Sequence, residues 1–261
     1  MAAGIPLEKA VELLETYGEM LSSGSSINEM DYMRAAKEIG QFKTANAVSA
    51  LGILHAVAGK TAKANKFFEE SLESTDDAAS VAMNYCFMLQ ATGQSDLLHE
   101  KTFYFAEKFQ TKLLTQMAYS TAYRFGDREA LERFMDMHIK LLSEDEGRDM
   151  AVKHKIELVN ELDDAYKTSG CTKEQFYLLA KIVHDISNDF GASNGRFEVS
   201  KNSNNCYVVD ILNKDPKIIA EMNYALAERI CMEDRLDDCE LIARFSPVRE
   251  LHTGVSYDSG F

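Results

Sequence analysis

Histidines and carboxylates are the side chains of this chain that could bind a metal or move a proton. Three aspartate doublets, Asp76-Asp77, Asp163-Asp164 and Asp237-Asp238, fall near predicted helix ends or turns. Aspartate is favoured at such places because its oxygens accept backbone N–H groups, so the doublets predict caps rather than a catalytic pair. None of the six histidines has the spacing of the zinc motif H-E-x-x-H; they are His55, His99, His138, His154, His184 and His252.

The doublet His184-Asp185 is the arrangement that most suggests metal chemistry. A histidine-aspartate pair on a helix resembles the HD-type phosphohydrolases, which are all-helical metal enzymes. That family also needs an upstream histidine and a separate downstream aspartate. His138 or His154 could supply the histidine, but Asp189 lies on the same predicted helix, too close to the doublet. We therefore favour a doublet on a helix surface, and a metal-dependent phosphohydrolase remains an alternative.

Motifs for phosphate binding and nucleophilic catalysis are missing from the sequence. The stretch from Gly191 to Gly195 lacks the lysine and the preceding strand of a phosphate-binding loop, and no G-x-S-x-G occurs. The five cysteines form no C-x-x-C pair, which predicts free thiols in a reducing compartment. We therefore expect no cofactor and no metal, and we favour a function other than catalysis.

The charge balance bears on the choice of partner. The 261 residues include 42 acidic and 28 basic side chains, and the net charge is −14. Nucleic-acid-binding proteins concentrate lysine and arginine, so this balance disfavours nucleic acid and anionic membranes, and it favours a basic protein. A nucleic-acid-associated regulator remains a second alternative, because a local basic patch could form from Arg196, Lys201, Lys214 and Lys217.

Two further patterns bear on localisation. No apolar run approaches the ~20 residues of a membrane-spanning helix. The first residues, Met1 to Lys9, lack a basic region followed by a long apolar stretch, so they do not predict a secretory signal. We therefore expect a cytoplasmic protein with no membrane contact.

Helices are predicted over the first two thirds of the chain, where apolar residues recur at helical spacing. The chain has only three prolines, so long helices are permitted. Ser26 and Glu29 predict a capping box at the start of the second helix. From about Thr44 to Leu142, helical segments alternate with short breaks, and three breaks contain a glycine. Gly59, Gly93 and Gly126 lie 34 and then 33 residues apart.

The residues around the first of these glycines fit a repeated helical hairpin. Leu51-Gly52 precedes Gly59, and Ala64 and Phe68 follow it. Small residues at 52 and 64 would let two antiparallel helices approach closely, and Phe68 would fill the gap to the next repeat. With its period of about 34, this pattern resembles the tetratricopeptide repeat, a helix-turn-helix unit.

The other two units match this resemblance less completely. Around Gly126, Ser120 takes the position of the small residue and Tyr123 that of the aromatic residue. Ala130 and Phe134 repeat the pattern A-x-x-x-F. The first helix of this unit is two residues out of register. The middle unit keeps only Gly93. The chain also departs from the family pattern at three positions. It has no tryptophan, and Val48 stands at the position where the family often has one. His55 replaces an aromatic residue, and Asp76 replaces proline.

The resemblance implies a function in protein binding. Stacked helical pairs form a concave face that takes up a peptide or a helix, so we expect an adaptor, a regulator or a chaperone-like protein; this transfer from fold to function is an analogy. A dense aromatic group on one predicted helix could line the groove, although core packing is favoured; its members are Phe103, Tyr104, Phe105 and Phe109.

The pattern changes near the C-terminus. Residues 196–200 alternate with period two, residues 201–205 form a polar turn, and residues 206–212 are rich in strand formers, so a β-hairpin is predicted. A helix capped by Asp215 follows, and 239–245 predict a third strand. The predicted fold class is therefore mostly α, with a tetratricopeptide-like array at 1–168, a small α+β module at 169–246 and a loosely ordered tail at 247–261.

Overall fold

A computed structural model of the chain describes residues 7–200 and 204–249, which are mostly helical, with a small three-stranded sheet in the last third. The predicted fold class, mostly α with a small α+β module, is confirmed. In chain order the elements are α1 (Leu7–Ser22), α2 (Glu29–Ile39), α3 (Ala45–Val57), α4 (Thr61–Leu72), α5 (Ala78–Ala91), α6 (Ser95–Phe109), α7 (Lys112–Arg124), α8 (Arg128–Leu141), α9 (Arg148–Ser169), α10 (Lys173–Asp189), β1 (Asn194–Val199), β2 (Cys206–Ile211), α11 (Pro216–Cys231) and β3 (Ile242–Pro247).

The described residues form two compact units. Unit 1 extends to Phe109 and contains α1–α6, and unit 2 begins at Gln110 and contains α7–α11 and the sheet. The sequence placed its division between residues 168 and 169, so the helices of the predicted array are distributed over both units. None of the helices that the structure describes is long and apolar enough to cross a membrane.

Three pairs of consecutive helices recur at a nearly constant interval. The first helices of the pairs, α3, α5 and α7, begin at residues 45, 78 and 112. The second helices, α4, α6 and α8, begin at residues 61, 95 and 128. Each start therefore recurs after 33 or 34 residues. The middle pair, in which the sequence pattern kept only Gly93, has the same layout as the other two.

The turns inside the three pairs have the same backbone geometry. Gly59, Gly93 and Gly126 have φ angles of 71°, 71° and 72°. Each glycine N–H donates to the carbonyl three residues back, and the next N–H donates to the carbonyl five residues back. This double hydrogen bond ends a helix through a residue in the left-handed region, where glycine is free of Cβ strain.

Close packing between α3 and α4 depends on the bare backbone of Gly52. A Cβ atom placed there would lie within 3 Å of three atoms of the Phe68 ring. Phe68 and Ala64 are completely buried, and the Phe68 ring stacks on Tyr85 of α5 with 5.0 Å between centroids. Phe68 therefore fills the space between one helical pair and the next.

The middle pair makes the corresponding contact with different residues. Counted from the turn glycine, Cys86 and Thr102 occupy the positions of Gly52 and Phe68. Both are fully buried, and the Thr102 hydroxyl donates to Cys86 Sγ at 3.6 Å. In the third pair the same positions are Tyr119 and Met135, which are also buried. The backbone of the pair is thus repeated more faithfully than its side chains.

In unit 2 the turn at Gly126 is the point on which later elements pack. The Phe176 ring of α10 covers the glycine so closely that a Cβ atom would lie within 3 Å of it. The Tyr166 hydroxyl of α9 donates to the Gly126 carbonyl, and Phe176 in turn contacts Tyr207 of β2 edge to face, with ring centroids 5.7 Å apart. This turn therefore contacts α9 and α10, and Phe176 continues the contact to the sheet.

The sheet has the strand order β1-β2-β3. β1 pairs antiparallel with β2, as the predicted hairpin requires, and β3 pairs parallel with β2. The parallel pair is connected by α11, which Asp215 caps and Pro216 begins, as predicted. α11 packs against β3 and α10, and Asn223 hydrogen-bonds both the N–H and the carbonyl of Phe245. One face of the sheet is thus covered by the helices of its own unit.

Some local predictions are corrected by the structure. The capping box of Ser26 and Glu29 is wrong, because α2 begins at Glu29 and Asn28 caps it by accepting the Asp31 N–H at 2.9 Å. The bounds of the outer strands differ from the predicted ones by one to three residues; these strands lie at 194–199 and 242–247. Part of the predicted turn, 201–203, and the tail from 250 onward lie outside the described residues.

Alanine substitution at two glycines within helices should have opposite effects. Gly18 lies inside α1, and a Cβ atom there would meet only Phe87 Cε1 at an ordinary 3.9 Å. Gly18→Ala should therefore stabilise the protein by up to ~1 kcal/mol, the helix-propensity difference. Gly52→Ala should destabilise it, because overpacking against Phe68 costs ~1–3 kcal/mol. Urea unfolding of the two variants measures both values, and stabilisation by Gly52→Ala would contradict the close packing of α3 on α4.

Alanine at two turn glycines should separate backbone strain from steric overlap. Gly59 and Gly126 share a positive φ, but a Cβ atom at Gly59 would meet nothing within 4 Å. Gly59→Ala should therefore cost only the left-handed strain, ~1–2 kcal/mol. Gly126→Ala should cost ~1–3 kcal/mol more, because Phe176 must move. Thermal denaturation compares the stability of the two variants. Equal losses of stability would show that Phe176 does not pack closely on the Gly126 turn.

Candidate functional site

The predicted repeat positions form the interior of the helical pairs rather than a surface site. Leu51, Ala64, Phe68, Ala130 and Phe134 are all buried. Ser120 is half-buried, whereas its neighbour Tyr119 is buried. These positions therefore hold helices together and do not form an exposed surface.

His55 takes the place of an aromatic residue in the first repeat, and its ring packs in the core as an aromatic ring would. Its ring meets Phe67 edge to face at 5.5 Å, and its Nδ1 lies 3.2 Å from the Tyr32 hydroxyl oxygen. Burial, with a smaller effect of Lys63 and Lys60, lowers the pKa of His55 to about 4. His55 is thus neutral at physiological pH and belongs to the core of unit 1.

The aromatic group on α6 does not form one groove. Phe105 is buried and contacts Tyr85 at 6.2 Å, so it belongs to the core of unit 1. Tyr104 is exposed, and the Lys108 ammonium lies over its ring at 5.5 Å. The half-buried Phe103 and Phe109 contact His99 and Phe105 respectively. The four rings therefore point to different surroundings.

The doublet His184-Asp185 lies on α10 in an environment that does not suit a metal. No group of three or more histidine, cysteine, aspartate or glutamate side chains that could hold a metal ion occurs among the described residues. Burial and the positive charge of Arg124 lower the pKa of His184 to about 4. A nearby cation that opposes protonation also opposes a divalent ion. His184 is therefore a neutral imidazole beside an arginine.

Arg124 itself stands out among the charged groups of unit 2. It is the last residue of α7, it is half-buried, and its guanidinium lies 4.5 Å from the centroid of the Phe197 ring. Burial lowers its pKa. Its guanidinium has neither a hydrogen bond nor an ion pair with any residue in the described ranges. A cation in this position is normally matched by a carboxylate.

Two tyrosines fix the surroundings of Arg124. The Tyr123 hydroxyl donates to the Glu161 carboxylate and accepts the Val199 N–H at 3.0 Å. The Tyr207 hydroxyl donates to the Arg124 carbonyl at 2.9 Å. Burial raises the pKa of both phenols, that of Tyr123 with a further contribution from Glu161, so both stay protonated donors. α7, α9 and the sheet are therefore tied together around Arg124.

A second charged cluster lies on the sheet. Glu198 of β1 and Asp210 of β2 are 8% and 3% exposed, and both carboxylates bind Arg249 just after β3, with 2.6 Å from Arg249 Nε to Asp210 Oδ1. Arg196 also lies 3.2 Å from Glu198. Each carboxylate thus has a guanidinium partner, so the cluster ties three strands together and needs no external cation.

Among the described residues of unit 1, the first helix α5 has an accessible side of mixed polarity. α3 is buried from Ala47 to Val57, because α1 packs along it and reaches α5. α5 keeps a half-exposed or exposed side at helical spacing, which we call the α5 face; it comprises Ser80, Met83, Asn84, Phe87 and Gln90. α1 borders this face, since Gly18 lies nearest to Phe87.

Sequence reasoning missed most of these features for a physical reason. Arg124 and Phe197 are far apart in the chain, as are Glu198 and Arg249, and single-sequence patterns carry no signal for such pairs. The Cys86–Thr102 pair was hidden because neither residue is typical of its repeat position. The signal that could have helped is the alternation Arg196-Phe197-Glu198, which places charges on one strand face and the ring on the other.

Comparison with known proteins gives no relative. No protein-family model matches the chain, and neither a curated protein nor a solved structure matches it. Inference about its function therefore depends on the geometry described above.

His184 should titrate near pH 4, and removing the charge of Arg124 should raise its pKa. Because the folded pKa lies below the ordinary 6.5, neutral His184 stabilises the protein above pH 6.5, and this contribution is lost as pH falls toward 4. In Arg124→Gln the pKa should rise, while that of His55, with the same pKa in unit 1, should not change. NMR titration of both imidazoles tests this. An unchanged pKa of His184 in Arg124→Gln would show that the charge of Arg124 does not act on it.

Proposed function

We propose that this chain is a protein-binding adaptor, regulator or chaperone-like protein whose helical hairpins hold a helix or peptide. The observation that carries the proposal is the recurrence of three helical pairs with the same glycine turn every 33 or 34 residues. Repeated helical pairs with this period characterise the tetratricopeptide-like proteins, whose common use is protein binding. The step from architecture to function is an analogy.

The α5 face supports a specific place for the partner. In a hairpin array the first helices of successive pairs share a side, and here α3 is already covered by α1. The α5 face offers Met83 and Phe87 between the polar side chains of Ser80, Asn84 and Gln90. Methionine and aromatic side chains adapt to varied apolar partners. An amphipathic helix could lay its apolar side along this face.

Charges on α1 favour a basic partner. Glu12, Glu15 and Glu19 are exposed and follow one side of α1 at intervals of three and four residues. The adjacent side of α1 carries Gly18, which faces Phe87, and Val11, which is 36% exposed. An acidic row beside Met83 and Phe87 suits a helix with one apolar and one basic side, in agreement with the net charge of −14.

The two alternatives from the sequence have less support. A phosphohydrolase at His184-Asp185 would need converging metal ligands, and the described residues provide no such group. A nucleic-acid-associated regulator would need an unpaired basic patch, whereas Arg196 lies against Glu198. Neither alternative has an observation in its favour comparable to the repeated hairpins.

Site-specific photo-crosslinking tests the proposal. A benzophenone amino acid at Met83, on the α5 face, should capture a protein partner in lysate of the native cells, which mass spectrometry identifies. The matched control is the same amino acid at Lys66 on α4, which is exposed and pairs only with Glu70. Capture from neither site, or equal capture from both, would contradict a partner on the α5 face.

The charge of the partner site is tested by reversing the acidic row. Three exposed ion pairs of about 0.5 kcal/mol each would contribute ~1.5 kcal/mol, and reversing their charge adds repulsion. Glu12→Lys, Glu15→Lys and Glu19→Lys together should therefore weaken binding of the captured partner by at least about tenfold. Calorimetry with the purified partner measures the change. The triple variant Glu221→Lys, Glu228→Lys and Glu240→Lys, at exposed positions of unit 2, is the control with the same change in net charge. Unchanged affinity in the α1 triple variant would remove α1 from the site.

A further inference from the structure

The unneutralised charge of Arg124 points to a second binding site, in unit 2. The guanidinium is half-buried, and Phe197 covers one of its faces at 4.5 Å. No described carboxylate lies within ion-pair distance of it. Its place at the C-terminal end of α7 offsets only part of the charge, because a helix end carries about half an elementary charge. A group with this surplus charge is suited to an anion.

Hydrogen bonds and ring contacts connect the surroundings of Arg124. The Tyr207 hydroxyl fixes the Arg124 carbonyl, and Tyr123 connects α7 to Glu161 and to the Val199 N–H. The guanidinium carbon lies over the ring of Phe197. Phe197 itself contacts Tyr207, with 6.2 Å between ring centroids. The guanidinium N–H groups of Arg124 have no hydrogen-bond partner among the described residues.

His184 supplies a second unsatisfied polar group, and it lies close enough to Arg124 for the guanidinium charge to lower its pKa. Its Nε2 is buried and has no hydrogen-bond partner. A buried imidazole nitrogen without a partner carries a desolvation penalty of ~1–3 kcal/mol. A neutral imidazole can present an N–H at Nε2 and donate one hydrogen bond. A single ligand with several acceptor oxygens would satisfy both side chains.

We propose that Arg124 and His184, with Phe197 as the floor, form a binding site for an oxyanion, either phosphate or carboxylate. The planar guanidinium fork matches two oxygens of such a group, and charge-assisted hydrogen bonds of this kind are the stronger ones. Cations are excluded by the charge of Arg124. The site is independent of the α5 face, so failure of one proposal leaves the other standing.

Anion-dependent thermal stability of the full-length protein tests the site. Inorganic phosphate and acetate are titrated separately, with chloride at matched ionic strength as the reference. At about ten times the dissociation constant, a bound anion should raise Tm by roughly 3–6 °C. A response to phosphate assigns a phosphoryl ligand, and a response to acetate assigns a carboxylate. No shift with either anion would overturn the proposal.

Substitutions locate the anion. Arg124→Met should abolish the Tm shift, and His184→Gln should weaken binding several-fold. Without anion, Arg124→Met should have an unchanged or higher Tm, because it removes an unneutralised charge. Arg229→Met is the matched control, since Arg229 is exposed in the same unit and pairs with Asp189. A shift that persists in Arg124→Met, or a lower Tm of that variant without anion, would show that Arg124 is structural.

NMR of the unmodified protein tests the site even if a variant fails to fold. Phosphate or acetate binding should perturb the NMR signals of the His184 ring at concentrations that leave those of His55 unchanged. Arg124→Lys keeps the charge but loses the planar fork, so its affinity should fall about tenfold. Equal perturbation of both histidines would indicate a non-specific salt effect and would contradict a site at Arg124.

Discussion

An aromatic ring packed onto a glycine without a Cβ atom is the interaction on which both units depend. In unit 1, Phe68 covers Gly52 and stacks on Tyr85, so one contact sets the distance between α3 and α4 and connects them to α5. In unit 2, Phe176 covers Gly126 and contacts Tyr207, so one contact connects the α7–α8 turn to α10 and the sheet. Any larger residue at either glycine would move a helix, because rings in a packed core have little room to shift.

The parts of the fold that follow from local chemistry could be predicted from the sequence. The turn at Gly93 was located even though its hairpin carried no other repeat residue, since positive φ depends on the glycine alone. The cap at Asp215-Pro216 and the hairpin strands were located for the same kind of reason. The cap of α2 was misplaced because Asn28 competes with Ser26 two residues away. The grouping into units could not be predicted, since it depends on contacts between distant residues.

The candidate sites show the same limit. The sequence singled out His184 for its neighbour Asp185, but its pKa is lowered mainly by burial and further by Arg124, which is distant in the chain. Likewise, the four aromatic residues of α6 are close in sequence but have different surroundings; they are Phe103, Tyr104, Phe105 and Phe109. Residue type and spacing thus indicate which side chains are unusual. Their partners are determined by tertiary packing, which a single sequence does not reveal.

Two arginines of unit 2 show how differently this fold treats a partly buried cation. Arg249 is matched by the buried carboxylates of Glu198 and Asp210, and the three side chains connect the strands of the sheet. Arg124 lies against the same sheet but meets the ring of Phe197 and a histidine kept neutral by burial and by Arg124 itself. The matched arginine, Arg249, contributes to the architecture and needs no ligand. The unmatched one leaves a free-energy cost that a bound anion would relieve, and residues that bind ligands commonly carry such a cost.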